Sequence, residues 1–228
     1  TAGLVCMRSI NRVGVGKVVI NFKYIVVGAG LAGATMAERI ANELNERVLV
    51  IEQRNHIGGN VYDCYDDNGI LIHRYGPHIF HTKHKQVWDY LSRFTTWREY
   101  EHKVLGSVDG QLVPIPFNLT TITQLFPAHL AAAYTDKLIR IFGYGAKVPI
   151  LELSKEQDVD LQHIAKYVYE KVFLNYTMKQ WGLLPDQVDN AVTARVPVYV
   201  SRDDRYFQDT YQGMPSHGYT RMIEKMLS

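Results

Sequence analysis

Cysteine is nearly missing from this 228-residue chain, since Cys6 and Cys64 stand isolated. Two such residues are too few for a disulfide framework or a cysteine-based zinc site, which points to a reducing compartment, the cytoplasm. An excess of one charge is missing too. The formal net charge is +2, with acids and bases interleaved, so there is no basic stripe and nucleic acid is set aside as a partner. No apolar run approaches the roughly 20 residues that a bilayer crossing requires, so no membrane partner is predicted. Internal repeats and low-complexity tracts are likewise missing. Residues 1–22 scatter Arg8, Arg12 and Lys17 among apolar residues, without a long hydrophobic centre or a small-residue cleavage site. They read as an extension outside the fold.

What is present is ordinary for a globular protein: 46% hydrophobic residues, enough for one large domain or two small ones. Residues 24–27 form a short β-branched and aromatic run that meets Gly28-Ala29-Gly30-Leu31-Ala32-Gly33, and residues 34–44 have helical composition. Residues 47–52 predict a second strand, apolar throughout as where both faces of a parallel sheet are covered. The unit is βαβ. Asp66-Asp67-Asn68-Gly69 predicts a hairpin turn with a return strand from Ile70, and Val108-Asp109-Gly110-Gln111-Leu112 predicts another. Apolar spacing predicts helices over 85–94, 160–180 and 219–227, and residues 196–200 read as a strand. The fold class is α/β, with a Rossmann-like parallel sheet and an inserted helical region. The predicted boundaries are 23–84 for the dinucleotide-binding core, 85–190 for the insertion, and 191–228 for a return to the sheet region.

A glycine pattern of this kind says little alone, but here it follows a strand, opens a helix and precedes an acid, Glu52, that closes the next strand. Gly28 permits the tight turn, Gly30 lets backbone N–H groups approach a pyrophosphate, and Gly33 lets helix and strand pack closely. Glu52 would accept hydrogen bonds from the adenosine ribose. The chain continues through Gln53, Arg54 and His56 into Gly58-Gly59-Asn60, a close-approach element that by analogy with FAD-binding oxidases favours FAD over NAD. The predicted cofactor contacts are therefore Gly28, Ala29, Gly30, Leu31, Gly33, Glu52, Gln53, Arg54, Gly58, Gly59 and Asn60, joined by His78 and Ile79. His78 and His81 lack a convincing third metal ligand, so no metal is predicted; a buried pair tuning cofactor charge fits better.

Four ordered motifs together resemble the UDP-galactopyranose mutase family, in its prokaryotic form. They are Asn55-His56-Ile57-Gly58-Gly59-Asn60, Gly76-Pro77-His78-Ile79-Phe80-His81-Thr82, Tyr176-Thr177-Met178-Lys179-Gln180-Trp181-Gly182, and Asp204-Arg205-Tyr206-Phe207-Gln208-Asp209-Thr210-Tyr211-Gln212-Gly213. The resemblance covers residues 23–227. It implies an isomerase that interconverts UDP-galactopyranose and UDP-galactofuranose for cell-wall polysaccharide. It implies reduced FAD, whose N5 bonds covalently to the sugar with no net oxidation, and an external reductant such as NAD(P)H. Tyr176 and Trp181, with Phe173 and Thr177 nearby, would hold the uracil. Arg195 would approach the diphosphate from a mobile loop, Tyr206 would touch the diphosphate region, and His102 and Asn118 would fall near the sugar. Arg195, His78 and His81 are the predicted catalytic residues. Family chains run well past residue 228, which predicts truncation of the sheet at the C-terminal end, association of copies as homo-oligomers, and a chain lacking part of the site. Two other readings compete: an FAD-dependent oxidoreductase of the amine-oxidase type, without a uridine-binding helix, and a nucleotide-binding fragment without catalysis.

Overall fold

The computed structural model describes residues 5–8, 21–174, 179, 182 and 197–228. They fall into two compact units, Thr1–Tyr100 with Asp209–Ser228, and Glu101–Gln208. Both predicted boundaries of the insertion therefore move. Leu91 is buried with Tyr219 and Met222 in the first unit, so the chain beyond 84 still belongs there. Val198 and Val200 are buried in the core of the second unit, which extends past 190.

In the first unit β1 (Val5–Arg8), β2 (Tyr24–Val27) and β3 (Val48–Glu52) form a parallel sheet in the order β1-β3-β2. The reading of residues 1–22 as lying outside the fold is thereby corrected for four of them. A strand edge offers unpaired N–H and C=O groups, and Val5–Arg8 pair with those of β3. Helix α1 (Leu31–Leu44) joins β2 to β3 and ends at Asn45, whose φ of 51° is a left-handed cap. Its Ala34 and Ala37 are fully buried, and Ala37 packs with Val48 and Val50 of the sheet. The run of β3 predicted cover on both faces. Instead, Ile25 and Val27 are 62% and 82% exposed and Ile51 is 39% exposed, so among the described residues one face is covered.

Glu38 of α1 is buried yet fully paired. Its carboxylate accepts from Asn42 Nδ2 (2.8 Å), from the Tyr90 hydroxyl (2.7 Å) and from Arg93 Nη2 (3.1 Å). Burial of a lone charge would be costly; here three donors offset it and tie α1 to helix α2 (Lys85–Ser92). Burial first, then the neighbouring Glu38, pushes the Tyr90 phenol well above its ordinary value.

Strands β4 (Asp63–Tyr65) and β5 (Leu71–His73) form the predicted hairpin. Asp66 Oδ1 accepts from the N–H groups of Asn68 and Ile70 in the turn, the local bonding that favours aspartate there. Strands β6 (Phe80–Thr82), β7 (Trp97–Glu99) and β12 (Tyr211–Pro215) form an antiparallel sheet with β12 central. On one face Trp88 stacks on Trp97 (4.3 Å between ring centroids) and on Tyr211 (5.5 Å), and Phe80 on Trp97 (4.9 Å). Gly213 makes room beneath them, since a Cβ there would meet Arg98 O at 2.9 Å and Trp88 at 3.5 Å. The last helix, α7 (Tyr219–Met226), buries Tyr219, Met222, Ile223 and Met226.

The second unit opens with hairpin β8 (Val104–Val108) and β9 (Gln111–Ile115). Its turn residues Asp109 and Gly110 have φ of 48° and 80°, as a two-residue type I′ turn requires. Helices α3 (Leu119–Leu125), α4 (Ala128–Phe142), α5 (Ile150–Leu153) and α6 (Val159–Val168) surround a core that includes Phe117, Ile122, Leu138, Leu161 and Ile164. Strands β10 (Lys147–Val148) and β11 (Val198–Tyr199) pair antiparallel. The helix predicted over 160–180 is α-helical to Val168 and then continues as a π-helical turn, Tyr169–Phe173. Tyr167 and Lys171 both donate to the Asp109 carboxylate at 2.7 Å, fastening the hairpin tip to this turn. No helix of the described residues is long and apolar enough to cross a membrane.

Candidate functional site

The β2–α1 turn is built by backbone contacts that only glycine permits. Gly28, at φ +97°, donates its N–H to Ile51 O at 2.7 Å, and Ala29 O accepts from Gly58 N at 2.8 Å. The two glycine elements thus touch: a Cβ on Gly59 would stand 3.0 Å from Gly30 Cα, and one on Gly33 would stand 1.9 Å from Gly28 O. The first intrahelical bond runs from Ala34 N to Gly30 O, so the N–H groups of Leu31, Ala32 and Gly33 precede it. Helix α1 has no side-chain cap and no acid in its first turn, which leaves its positive end suited to an anion.

Glu52 closes β3 beside this turn. Its Oε2 accepts from Ala29 N at 2.6 Å and its Oε1 from Arg54 N at 2.9 Å. Burial works against the charge, but bonds from the backbone of Arg54, Ala29 and Gln53, with the Arg54 charge, outweigh it and hold the carboxyl below its ordinary value. The sign follows. A depressed carboxyl stabilises the fold above its unfolded value of about 4.3 and loses that contribution as the pH falls through the folded value. Glu52→Gln is therefore expected to be less stable than the parent at pH 7, with the difference shrinking in urea melts as the pH is lowered below about 4.3. A constant difference would overturn this.

Around Glu52 the other predicted cofactor residues interlock. Arg54 Nη2 donates to Asn60 Oδ1 at 3.0 Å and its guanidinium lies over the Tyr75 ring at 4.5 Å. His56 stacks on Tyr62 at 3.7 Å and its Nε2 meets the Tyr75 hydroxyl at 2.8 Å. Arg54, His56 and Tyr75 thereby brace the loop that carries Gly58 and Gly59. On the other side of α1, Leu31, Ala32, Thr35, Phe80, Val87 and Tyr90 line an apolar groove of about 690 Å³. Strand β6 consequently runs beside the first turn of α1.

His78 and His81 flank Phe80 but do not pair with each other. His78 N donates to His73 Nδ1, and His78 Nδ1 meets Gly76 O, both at 2.9 Å. His81 Nδ1 lies 2.6 Å from Asp209 Oδ2, a partner 128 residues away that sequence reasoning did not single out. Asp209 lay inside the fourth motif, but nothing in its spacing pointed to His81. Among the described residues no group of three or more His, Cys, Asp or Glu could hold a metal ion.

In the second unit His102, Tyr206 and Phe207 come together. Tyr206 N donates to His102 O at 2.7 Å, and the rings of Tyr206 and Phe207 lie 5.7 and 6.2 Å from that of His102. Asn118, expected near the sugar, has structural partners of its own. It is fully buried and caps α3: its Oδ1 accepts from Thr121 N at 3.0 Å and its Nδ2 donates to Asp204 Oδ1 at 2.9 Å. Phe173, read as a neighbour of the uracil, is 1% exposed and belongs to the core, because the π-helical turn directs it inward with Val172. Tyr176, Thr177, Trp181 and Arg195 lie outside the described residues.

The βαβ unit with its glycine-lined turn and strand-closing acid defines a Rossmann-like dinucleotide-binding protein of mixed α/β architecture, and the family model for NAD(P)-binding Rossmann-like domains matches residues 26–94. The chain is a homologue of the UDP-galactopyranose mutase family, whose model matches residues 171–228. It is 39% identical over 205 residues to the protein of Klebsiella pneumoniae described as "Probable UDP-galactopyranose mutase", covering 90% of this chain and 52% of that one. It is 36% identical over 207 residues to the dTDP-fucopyranose mutase of Escherichia coli, covering 90% and 54%. The chain spans about half the length of these relatives. The crystal structure of a reduced UDP-galactopyranose mutase aligns with a TM-score of 0.56 at 18% identity, over 90% of this chain and 46% of that one, and shares the fold.

Proposed function

We propose that this chain carries the FAD-binding turn and part of the nucleotide-sugar site of a UDP-galactopyranose mutase, acting in the cytoplasm on UDP-galactopyranose and UDP-galactofuranose. The observation that carries the cofactor reading is the approach of Gly30 to Gly59 over the uncapped start of α1, with Glu52 beside it. This is a cradle for a pyrophosphate and its ribose, and a side chain on either glycine would narrow it. Bound there, reduced FAD would supply a nucleophilic flavin nitrogen in a reaction without net oxidation, NAD(P)H serving as the reductant. The N–H groups of Leu31, Ala32 and Gly33 would hold the pyrophosphate and Glu52 the ribose hydroxyls. Residues 78–81, which lead into β6, would present His78, Ile79 and His81 to the flavin. Tyr176 and Trp181 would grip the base by stacking, worth roughly 1–3 kcal/mol for each base in nucleic-acid contexts. Arg195 would neutralise the departing diphosphate through its paired donors, with Tyr206 and His102 nearby.

The test is anaerobic. Purified chain with FAD and dithionite is offered UDP-galactofuranose and, in a parallel arm, dTDP-fucopyranose, with flavin fluorescence and product chromatography recorded together. FAD binding with uridine-nucleotide binding is expected, and UDP-galactopyranose is the expected product if the residues present suffice for turnover. Binding without turnover would leave the chain as the binding part of such a mutase. Preference for the dTDP sugar would move the substrate to that of the Escherichia coli relative, and binding of neither FAD nor nucleotide would sink the proposal.

A further inference from the structure

We propose that Asp209 is a positioning residue for His81: it holds the imidazole with Nδ1–H toward its own carboxylate and so makes Nε2 the nitrogen that takes and gives a proton. The inference rests on the reading that a flavin lies against β6. The pair spans 128 residues and closes at 2.6 Å, the length of a charge-assisted bond. An ionised carboxylate only accepts, so Nδ1 must be the donor and the neutral ring is fixed in the tautomer that free histidine disfavours.

The arrangement is braced by the backbone. Gln212 is the cross-strand neighbour of His81 in the β6–β12 pairing, and its Nε2 donates to Asp209 O at 2.9 Å. The turn that leads into β12 is thus drawn toward the strand bearing the histidine. Phe80, the adjacent residue of β6, lines the groove against Leu31 and Ala32, and the alternation of side chains along a strand sets His81 on the opposite face of the sheet. A carboxylate that orients an imidazole while staying behind it is a recurrent device for setting which ring nitrogen does chemistry.

The experiment compares the parent chain with Asp209→Asn, Asp209→Glu, His81→Gln and the double variant Asp209→Asn/His81→Gln. In cofactor-free protein, ¹⁵N NMR of the imidazoles should show His81 protonated on Nδ1. Asp209→Asn should move the proton to Nε2, and Asp209→Glu should restore the parent pattern. With FAD added, Asp209→Asn should shift the absorbance of the bound flavin, Asp209→Glu should reverse the shift, and the double variant should match His81→Gln alone. An unchanged ¹⁵N pattern in a folded Asp209→Asn protein overturns the proposal. So does a flavin shift that persists when His81 is already gone. Failure of the parent chain to bind FAD instead sinks the flavin reading beneath it, which the cofactor-free spectra distinguish from failure of the pairing.

Discussion

Gly33→Ala is expected to cost the fold more than about 3 kcal/mol, while Gly30→Ala, three residues earlier in the same turn, leaves stability nearly unchanged and weakens cofactor binding at least tenfold, about 1.4 kcal/mol. At Gly33 a Cβ would lie 1.9 Å from Gly28 O, 3.0 Å from Gly28 C and 3.3 Å from Val26 Cγ1. The first two are backbone atoms, and Gly28 is held by its bond to Ile51 O, so nothing there can swing aside. Overpacking a core with a side chain typically costs 1–3 kcal/mol, and a clash with fixed backbone belongs at or above the top of that range. At Gly30 the nearest atom would be Gly59 Cα at 3.6 Å, an ordinary contact, and φ is −78°. The methyl would nevertheless stand in the gap where a pyrophosphate must approach backbone N–H groups. Urea melts should separate the two variants, and flavin-fluorescence titration should show Gly30→Ala weakened at least tenfold, about 1.4 kcal/mol. A Gly33→Ala chain as stable as the parent, or a Gly30→Ala chain that binds FAD equally well, would refute the geometry proposed for the turn.

That turn was legible in the sequence because every part of it is local. Strand, glycine spacing, helix and closing acid all fall within residues 24–52, and each residue type answers to one backbone requirement. The Asp109-Gly110 hairpin and helices α2 and α7 were legible for the same reason. Strands β6, β7 and β12 were not, since runs of three to five residues carry no resolvable alternation and their pairing joins segments more than a hundred residues apart. The contact of His81 with Asp209 is a product of that pairing.

Asn118 carries a local signal beside the resemblance that set it near a sugar: with Thr121 three positions on it is a reciprocal helix cap. Phe173 follows Val172 in the π-helical turn beyond α6, and both are buried in the core of the second unit. Strand β1 escaped because the composition of residues 1–22 argued only against a leader, and it said nothing about an unpaired edge on β3.

The largest expected loss away from the cofactor turn follows from Asp63→Ala. Asp63 is 3% exposed and closes the start of α7 from a strand 156 residues earlier. Its Oδ2 accepts from Tyr219 N at 2.6 Å and its Oδ1 from Thr220 N at 2.9 Å. Thr220 Oγ1 in return accepts from Asp63 N at 3.0 Å and donates to Asp63 O at 2.9 Å. An ordinary N-cap contributes about 1 kcal/mol, but this one is a buried charge with two backbone donors, each worth about 1.5–3 kcal/mol. Asp63→Ala should therefore cost about 3 kcal/mol or more and strand the first N–H groups of α7. Asp63→Asn should cost about half as much, because its single carbonyl oxygen can satisfy one donor while its NH₂ faces the other. Gly218 is part of the same lock: its φ is +85° and a Cβ there would reach 2.6 Å from Asp63 Oδ2, so Gly218→Ala should unfold with Asp63→Ala. Hydrogen exchange localises the effect, with the amides of Tyr219 and Thr220 losing protection before those of α1. If Asp63→Ala melted at the parent's urea concentration with the Tyr219 amide still protected, α7 would have to be held by the burial of Met222, Ile223 and Met226 alone.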